Sequence, residues 1–269
     1  MKPLYIYFLA ASLACTSCSD SWLDLNPSTS VPTDQAFSSL EDAQSALNGI
    51  YRLASAHSYY GDNFFYFGDC RAADVQARMT KGDGRRVSPY YEYNVKATDS
   101  FNSSLPWNQG YKVIRQTNNL IAATESGLIK TTDESALNEI KAQALAMRGL
   151  ALYDLIRVFA MPYSYDNGQS LGVPIVTTVT DQSSKPARNT VAECYDQIIT
   201  DLTGSLAGLS KEKKDGCLNY WAVQGILSRV YLNKLDYPNA YKAATDVIEN
   251  SKSLYQLYTC DEYPTVWGK

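Results

Sequence analysis

Apolar positions in this sequence recur at steps of three and four over most of its length, the period of amphipathic helices. Ala43, Ala46, Leu47, Ile50, Leu53 and Ala54 form one stripe, and Ser39 with Asp42 predicts a capping box at its start. Pro106 suits a first helical turn, and Trp107, Tyr111, Ile114, Asn118 and Ile121 continue the pattern. Thr131 with Glu134 predicts a capping box ahead of Leu137, Ile140, Ala144, Met147, Ala151, Leu155 and Val158, a stripe that Pro162 closes. Thr190 with Glu193 predicts another, ahead of Val191, Tyr195, Ile198, Leu202, Leu206 and Leu209. Two more helices are expected over residues 219–234 and 238–250, and an extended piece over 172–176.

The period fails in three places. Residues 57–104 hold Tyr59, Tyr60, Phe64, Phe65, Tyr66, Phe67, Tyr90, Tyr91 and Tyr93 among Asp, Asn, Arg and Gly, with a turn at Gly82-Asp83-Gly84. They read as an irregular, loop-rich region. The last stretch, near Trp267, is aromatic and poorly periodic, which reads as a chain cut short. At the other end, Lys2 precedes an apolar stretch over residues 4–14. A bilayer span needs about 20 apolar residues, so this stretch has instead the length of a signal-peptide core. Cys15 and Cys18 follow it, which suggests a lipoprotein signal over residues 1–17 with Cys18 lipidated, Cys15 being the competing choice. Several acyl chains on one cysteine are enough for stable anchoring. Residues 18–33, with Pro27 and Pro32, read as a tether, and residues 34–269 as the folded domain.

Composition narrows the chemistry. A net charge of −4 gives no general attraction to nucleic acid. His57 is the single histidine, so His-pair catalysis and His-rich metal sites are excluded. Cys70, Cys194, Cys217 and Cys260 lack metal-like spacing, and either disulfides or isolated thiols fit them. No phosphate-cradling loop, nucleophile elbow or dinucleotide fingerprint is present, and no cofactor is implied. Asp69 and Asp74 have no phased partner carboxylate of the kind a glycosidase needs. The outstanding feature is 21 Tyr residues.

Residues 219–250 have the form of one tetratricopeptide-like unit, a helix pair repeating at about 34 residues. Ala222, Gly225 and Ser228 are the small residues expected where its helices cross. The expected fold is therefore mainly α, a tetratricopeptide-like helical-hairpin scaffold with an irregular ligand face. Five further segments, in order, carry a family resemblance: Cys18-Ser-Asp-Ser-Trp-Leu-Asp-Leu-Asn-Pro27; Trp107, Tyr111, Ile114 and Asn118; Ala142, Ala144, Arg148, Tyr153, Leu155 and Phe159 before Pro162; residues 172–175; and Arg188, Val191, Tyr195, Ile199, Asp201 and Leu202. Together they resemble the SusD/RagB family of outer-membrane glycan-binding lipoproteins. Ala160-Met161 and Asn219 depart from the family pattern.

The resemblance implies a non-enzymatic, surface-exposed, lipid-anchored protein of the outer membrane. Such a protein captures oligosaccharide, sometimes peptide, for a partner SusC-like TonB-dependent transporter. It also implies a full length about twice this one. A periplasmic tetratricopeptide-type protein-interaction lipoprotein is the alternative.

Sugar binding needs flat apolar rings and planar polar groups. The irregular region supplies both, and exposed loops commonly carry function. Tyr90, Tyr91 and Tyr93 are the candidate stacking rings, with Asp74, Arg78 and Asn94 as hydrogen-bonding partners. Strand alternation would put Tyr91 and Tyr93 on one face. Trp107, Tyr111, Tyr153, Tyr195, Tyr231 and Tyr241 lie on helical stripes and are expected to pack the scaffold, while Arg148 is expected to make a structural ion pair or carbonyl contact.

Overall fold

A computed structural model describes residues 37–72, 88–94, 96, 106–181, 183–251 and 254–268. Cys15, Cys18, Asp74 and Arg78 lie outside the described residues. The described helices are α1 (Leu40–Ala54), α2 (Asn63–Arg71), α3 (Ser88–Tyr91), α4 (Pro106–Glu125), α5 (Glu134–Phe159), α6 (Val191–Ser205), α7 (Tyr220–Asn233) and α8 (Tyr237–Asn250). Among the described residues there are only isolated bridges, Ser39 to Lys130 and Leu171 to Thr190, and no strand. The mainly helical architecture expected from the periodicity is the one observed.

Local chemistry starts the long helices where the sequence places them, with one exception, while the short α2 and α3 fall in the stretch read as loop-rich. Ser39 and Asp42 form the capping box of α1, and Thr190 and Glu193 that of α6. Asn219 caps α7 by accepting the Ala222 N–H at 2.9 Å. The exception is α5, whose cap is Asp133: its carboxylate accepts the Ala136 N–H at 2.9 Å. Thr131 instead accepts the Asp133 N–H at 3.0 Å in the turn before the helix. A carboxylate beside the helix N-terminus also meets the positive end of the helix dipole, which a hydroxyl does not.

α4 and α5 form one helical hairpin, α7 and α8 another, and α6 packs along α5. α1 lies against both α4 and α5. Close approach is built from glycine: a Cβ on Gly110 of α4 would lie 3.1 Å from Leu155, and one on Gly149 of α5 would lie 3.0 Å from Leu202. Ala43, Leu47, Ile50, Leu120, Ala144, Leu155, Ile198 and Leu202 are buried on the predicted stripes or beside them. The α7–α8 pair behaves differently. A Cβ on Gly225 meets nothing within 4 Å, and Ala222 and Ser228 are half-buried, so the small-residue stripe is not a helix crossing. The buried face of α7 is Trp221, Val223, Leu227 and Val230, opposite Ala240 and Ala243 of α8. Asp246 of α8 ties the pair together, accepting from the Tyr220 hydroxyl and Gln224 Nε2, each at 2.9 Å.

The piece around residues 172–178 is non-helical, and its backbone is satisfied by side chains from the bundle. The Tyr111 hydroxyl donates to Pro174 O at 2.8 Å. Asn118 Nδ2 donates to Val176 O and Thr178 O, each at 3.0 Å. Arg148 completes the seam: it holds the Asp201 carboxylate at 2.8 and 2.6 Å, the Asn118 amide oxygen at 2.9 Å and Thr177 O at 3.0 Å. The structural ion pair and the carbonyl contact expected of Arg148 are both present.

Tyr153 and Tyr195 are buried, with ring centroids 6.4 Å apart. Trp107 is half-buried and meets Phe159 edge-on at 5.0 Å. Tyr241 corrects its expected packing role. It is 74% exposed, because α8 buries only Ala240 and Ala243. Cys70, Cys194, Cys217 and Cys260 are all free thiols, the first two buried. Among the described residues, no helix is long and apolar enough to cross a membrane, and no group of three or more His, Cys, Asp or Glu could hold a metal ion.

Candidate functional site

The described parts of the irregular region, residues 57–72 and 88–94, hold helical turns that its composition does not suggest. After α1 the chain makes a π-turn over His57–Gly61, then forms α2. Tyr59, inside that turn, has non-helical angles (φ −134°, ψ −116°). What holds the turn is a carboxylate on α5. Asp154 is 0% exposed and accepts the Tyr59 hydroxyl at 2.6 Å. The Tyr60 hydroxyl donates to the same oxygen, and Arg157 Nη2 meets the other oxygen at 2.6 Å. Three donors thus compensate one buried anion. Burial raises the Asp154 carboxyl above its ordinary value, and Arg157, Tyr59 and Tyr60 limit the rise. Burial, reinforced by the charge of Asp154, also pushes the Tyr59 and Tyr60 hydroxyls up, so both remain donors.

This anchor presents an aromatic wall. Tyr60 lies 5.4 Å from Phe64 and 6.0 Å from Phe65, ring centroid to centroid, in tilted and edge-on arrangements. Arg157 sits over Tyr153 at 4.6 Å and near Phe64 at 5.5 Å, a cation over ring faces. Tyr60, Phe64, Phe65 and Arg157 line an open cavity of about 550 Å³. Phe67, Asp69 and Arg229 complete its polar and aromatic wall, over an aliphatic floor of Leu150, Val158 and Ile226. Phe65 is 50% exposed, and Asp69 and Arg229 are exposed. The cavity therefore offers ring faces, a guanidinium and a carboxylate together.

Of the predicted site residues, Tyr90, Tyr91, Tyr93 and Asn94 are described, and none of the four lines this cavity, while Asp74 and Arg78 lie outside the described residues. Tyr90 is 2% exposed in the short helix α3, edge-on to Phe67 at 5.4 Å and packed with Cys70. Burial, with a smaller effect of Cys70, pushes its hydroxyl up to about 12. Its ring supports the cavity wall from behind and is not offered to a ligand, a correction to the expected stacking role. Tyr91 is half-buried in the same cluster. Tyr93 is 67% exposed, has φ 54°, and its hydroxyl donates to Arg71 O. Asn94 is exposed, and its N–H donates to Pro89 O at 3.0 Å. Tyr91 ends a helix and Tyr93 lies in a left-handed turn, so the strand alternation expected to pair them does not apply.

The cavity-lining residues that the sequence did not single out for ligand contact are Tyr60, Phe64, Phe65, Asp69, Arg157 and Arg229. One signal was available: four consecutive aromatics, residues 64–67, cannot all face inward on a helix that turns about 100° per residue. No local signal marked Arg157 or Arg229, which arrive from α5 and α7. A separate groove of about 410 Å³ lies between Trp107, Tyr111 and Pro174. The polar groups of Tyr111 and Asn118 there are already spent on the backbone of the 172–178 segment.

Residues 21–232 match a SusD-like family model described as starch-binding associating with outer membrane. A SusD-like protein of Formosa agariphila is 30% identical over 256 residues, covering 93% of this chain and 47% of that protein. One of Bacteroides ovatus is 26% identical over 262 residues, covering 93% and 45%. The chain thus spans about half the length of the curated relatives it matches. Among solved structures, a SusD superfamily protein of Bacteroides thetaiotaomicron superposes with a TM-score of 0.81 at 63% identity, over 86% of this chain and 50% of the other. A laminarin binding SusD-like protein shares the fold, with a TM-score of 0.69 at 20% identity, over 87% and 50%.

Proposed function

The chain belongs to the SusD-like family, and from that premise we propose that it captures saccharide and that the Tyr60–Phe65–Arg229 cavity makes the contact. The observation that carries the proposal is one cavity bringing together exposed ring faces, a guanidinium and a carboxylate. Pyranose C–H faces stack on aromatic rings, while hydroxyls donate to Asp69 and accept from Arg229 and Arg157. Asp154 has both oxygens occupied by protein donors, so it serves as an anchor rather than as a free general base. That favours binding without hydrolysis. The exposed ring of Tyr93, with Asn94, forms a second, outer contact.

The proposal extends to the cell. Lipidation at Cys18 anchors the protein to the outer membrane, exposed at the surface, beside a SusC-like TonB-dependent transporter that receives the captured oligosaccharide. Palmitate labelling lost in Cys18→Ala tests the anchor, and copurification with a transporter barrel tests the partner. For the cavity, calorimetry with maltoheptaose and laminarihexaose tests contact directly. Phe65→Ala and Arg229→Ala are each expected to weaken binding without unfolding the protein. Unchanged affinity in both variants would move the site elsewhere.

A further inference from the structure

The aromatic cavity holds two guanidinium groups from different helices, Arg157 of α5 and Arg229 of α7. They converge on one buried ring: Arg157 lies 4.6 Å and Arg229 5.9 Å from the Tyr153 centroid. Their charges are met differently. Arg157 Nη2 pairs with Asp154 at 2.6 Å, and the rest of that side chain still lines the cavity. Arg229 is exposed and forms no ion pair among the described residues. The cavity's own exposed carboxylate, Asp69 of α2, is paired with neither arginine. A third guanidinium, Arg71, lies over the wall ring Phe67 at 4.7 Å. The chain as a whole carries a net charge of −4, so this gathering of arginines is a local reversal of its sign.

We propose that the cavity selects a saccharide bearing an anionic substituent, a carboxylate or a sulfate ester, and that Arg229 receives that substituent. The inference rests on the reading of the cavity as a saccharide site, and what it adds is the charge of the ligand. An unpaired guanidinium presents a planar fork of donors. A carboxylate or sulfate fills that fork with two parallel hydrogen bonds, where a hydroxyl oxygen meets only one. Arg157 contributes the donors that Asp154 leaves over. Asp69 arrives from α2, repels an anion and accepts from hydroxyls. The ligand is therefore oriented, its acid toward α5 and α7 and its hydroxyl edge toward α2. Because the cavity is open, the anion keeps part of its water, and pairing carries no full cost of burying a charge.

Probes that share a backbone isolate the charge: tetragalacturonate against its methyl ester, and a κ-carrageenan tetrasaccharide against its desulfated form. Calorimetry at low ionic strength is expected to show a charged probe binding about tenfold or more tighter than its neutral counterpart, and the pair that shows it identifies the anion. Added salt should shrink that ratio, because the arginine is exposed. Arg229→Gln should bring the ratio close to one, and Arg229→Lys, which keeps the charge without the fork, should retain part of it. Asp69→Asn, which removes the repelling charge and keeps the shape, should raise it about threefold. Charged probes bound no tighter than neutral ones, or a ratio that Arg229→Gln leaves intact, overturn the anion assignment. If maltoheptaose or laminarihexaose then still binds and loses affinity in Phe65→Ala, the saccharide site stands. Binding of no probe at all, or binding insensitive to Phe65→Ala and Arg229→Gln alike, overturns both.

Discussion

Two arginine–aspartate clusters, whose arginines lie about two and a half helical turns apart on α5, serve opposite ends. Arg148 and Asp201 are sealed: their side chains are 9% and 2% exposed, and the guanidinium donates to Asp201, Asn118 and Thr177 O. Arg157 and Asp154 are sealed on one side only. Asp154 is fully buried, but the Arg157 side chain is 33% exposed and lines an open cavity. The same pair of functional groups thus closes a seam in one place and holds an opening in the other. Burial alone does not tell these roles apart. What does is the direction in which the remaining donors of the guanidinium point, inward to Asn118 and Thr177 or outward to a cavity.

Breaking the sealed cluster should have the largest effect. Arg148→Ala strands the Asp201 carboxylate and frees the 172–178 segment, and is expected to cost about 3–5 kcal/mol in urea denaturation. Arg157→Ala should cost less, because Asp154 keeps two tyrosine donors and can take up a proton, while its affinity for maltoheptaose falls more than that of any variant in the sealed cluster. Equal stability losses for the two would erase the contrast. Tyr59→Phe removes a buried donor to Asp154 and is expected to cost about 1.5–3 kcal/mol, with weakened glycan binding as Tyr60 loses its register. Phe65→Ala, at a half-exposed ring, should leave the melting temperature nearly unchanged and lower affinity about tenfold.

The smallest effect concerns helix starts. Asp133→Ala is expected to cost about 1 kcal/mol, and Thr131→Ala distinctly less.

Titration sharpens the contrast from another side, because the carboxylates run in opposite directions. Hydrogen bonds from Ser38 and Ser39 lower the Asp42 carboxyl, and the backbone and hydroxyl of Thr190 lower that of Glu193. Their contributions are present above the ordinary values of 3.8 and 4.5, and are lost as pH falls through the lower folded values. Asp154 is raised, so its contribution favours the fold at low pH and is lost as pH rises above 3.8 through the folded value. Asp154→Asn should remove that high-pH loss from the stability profile, and retention of it would assign the loss to another group.

The fold was largely legible because its causes are local. Stripes at steps of three and four, the Ser39 and Thr190 boxes and the Asn219 cap each act within a few residues. Arg148 was readable as structural because a charged residue amid a long apolar helix needs a partner. The candidate cavity draws its aromatic rings from the region the sequence singled out, but not from the residues it named. Tyr90 and Phe65 are equally aromatic in sequence, yet one is 2% and the other 50% exposed. Tyr241 sits on a helical period and is still exposed, because periodicity reports which face is apolar and not whether anything covers it.

The sequence by itself determined the long helices, several of their caps and the family pattern, since propensity, capping and hydrophobic period are short-range properties; the short α2 and α3 lie in the stretch it left irregular. Only the tertiary structure decided the cavity. Asp154, Arg157 and Arg229 lie far along the chain from Tyr59, Tyr60 and Phe65, and burial of a single carboxylate on α5 selects which of many tyrosines turn inward as donors and which rings remain open to a ligand.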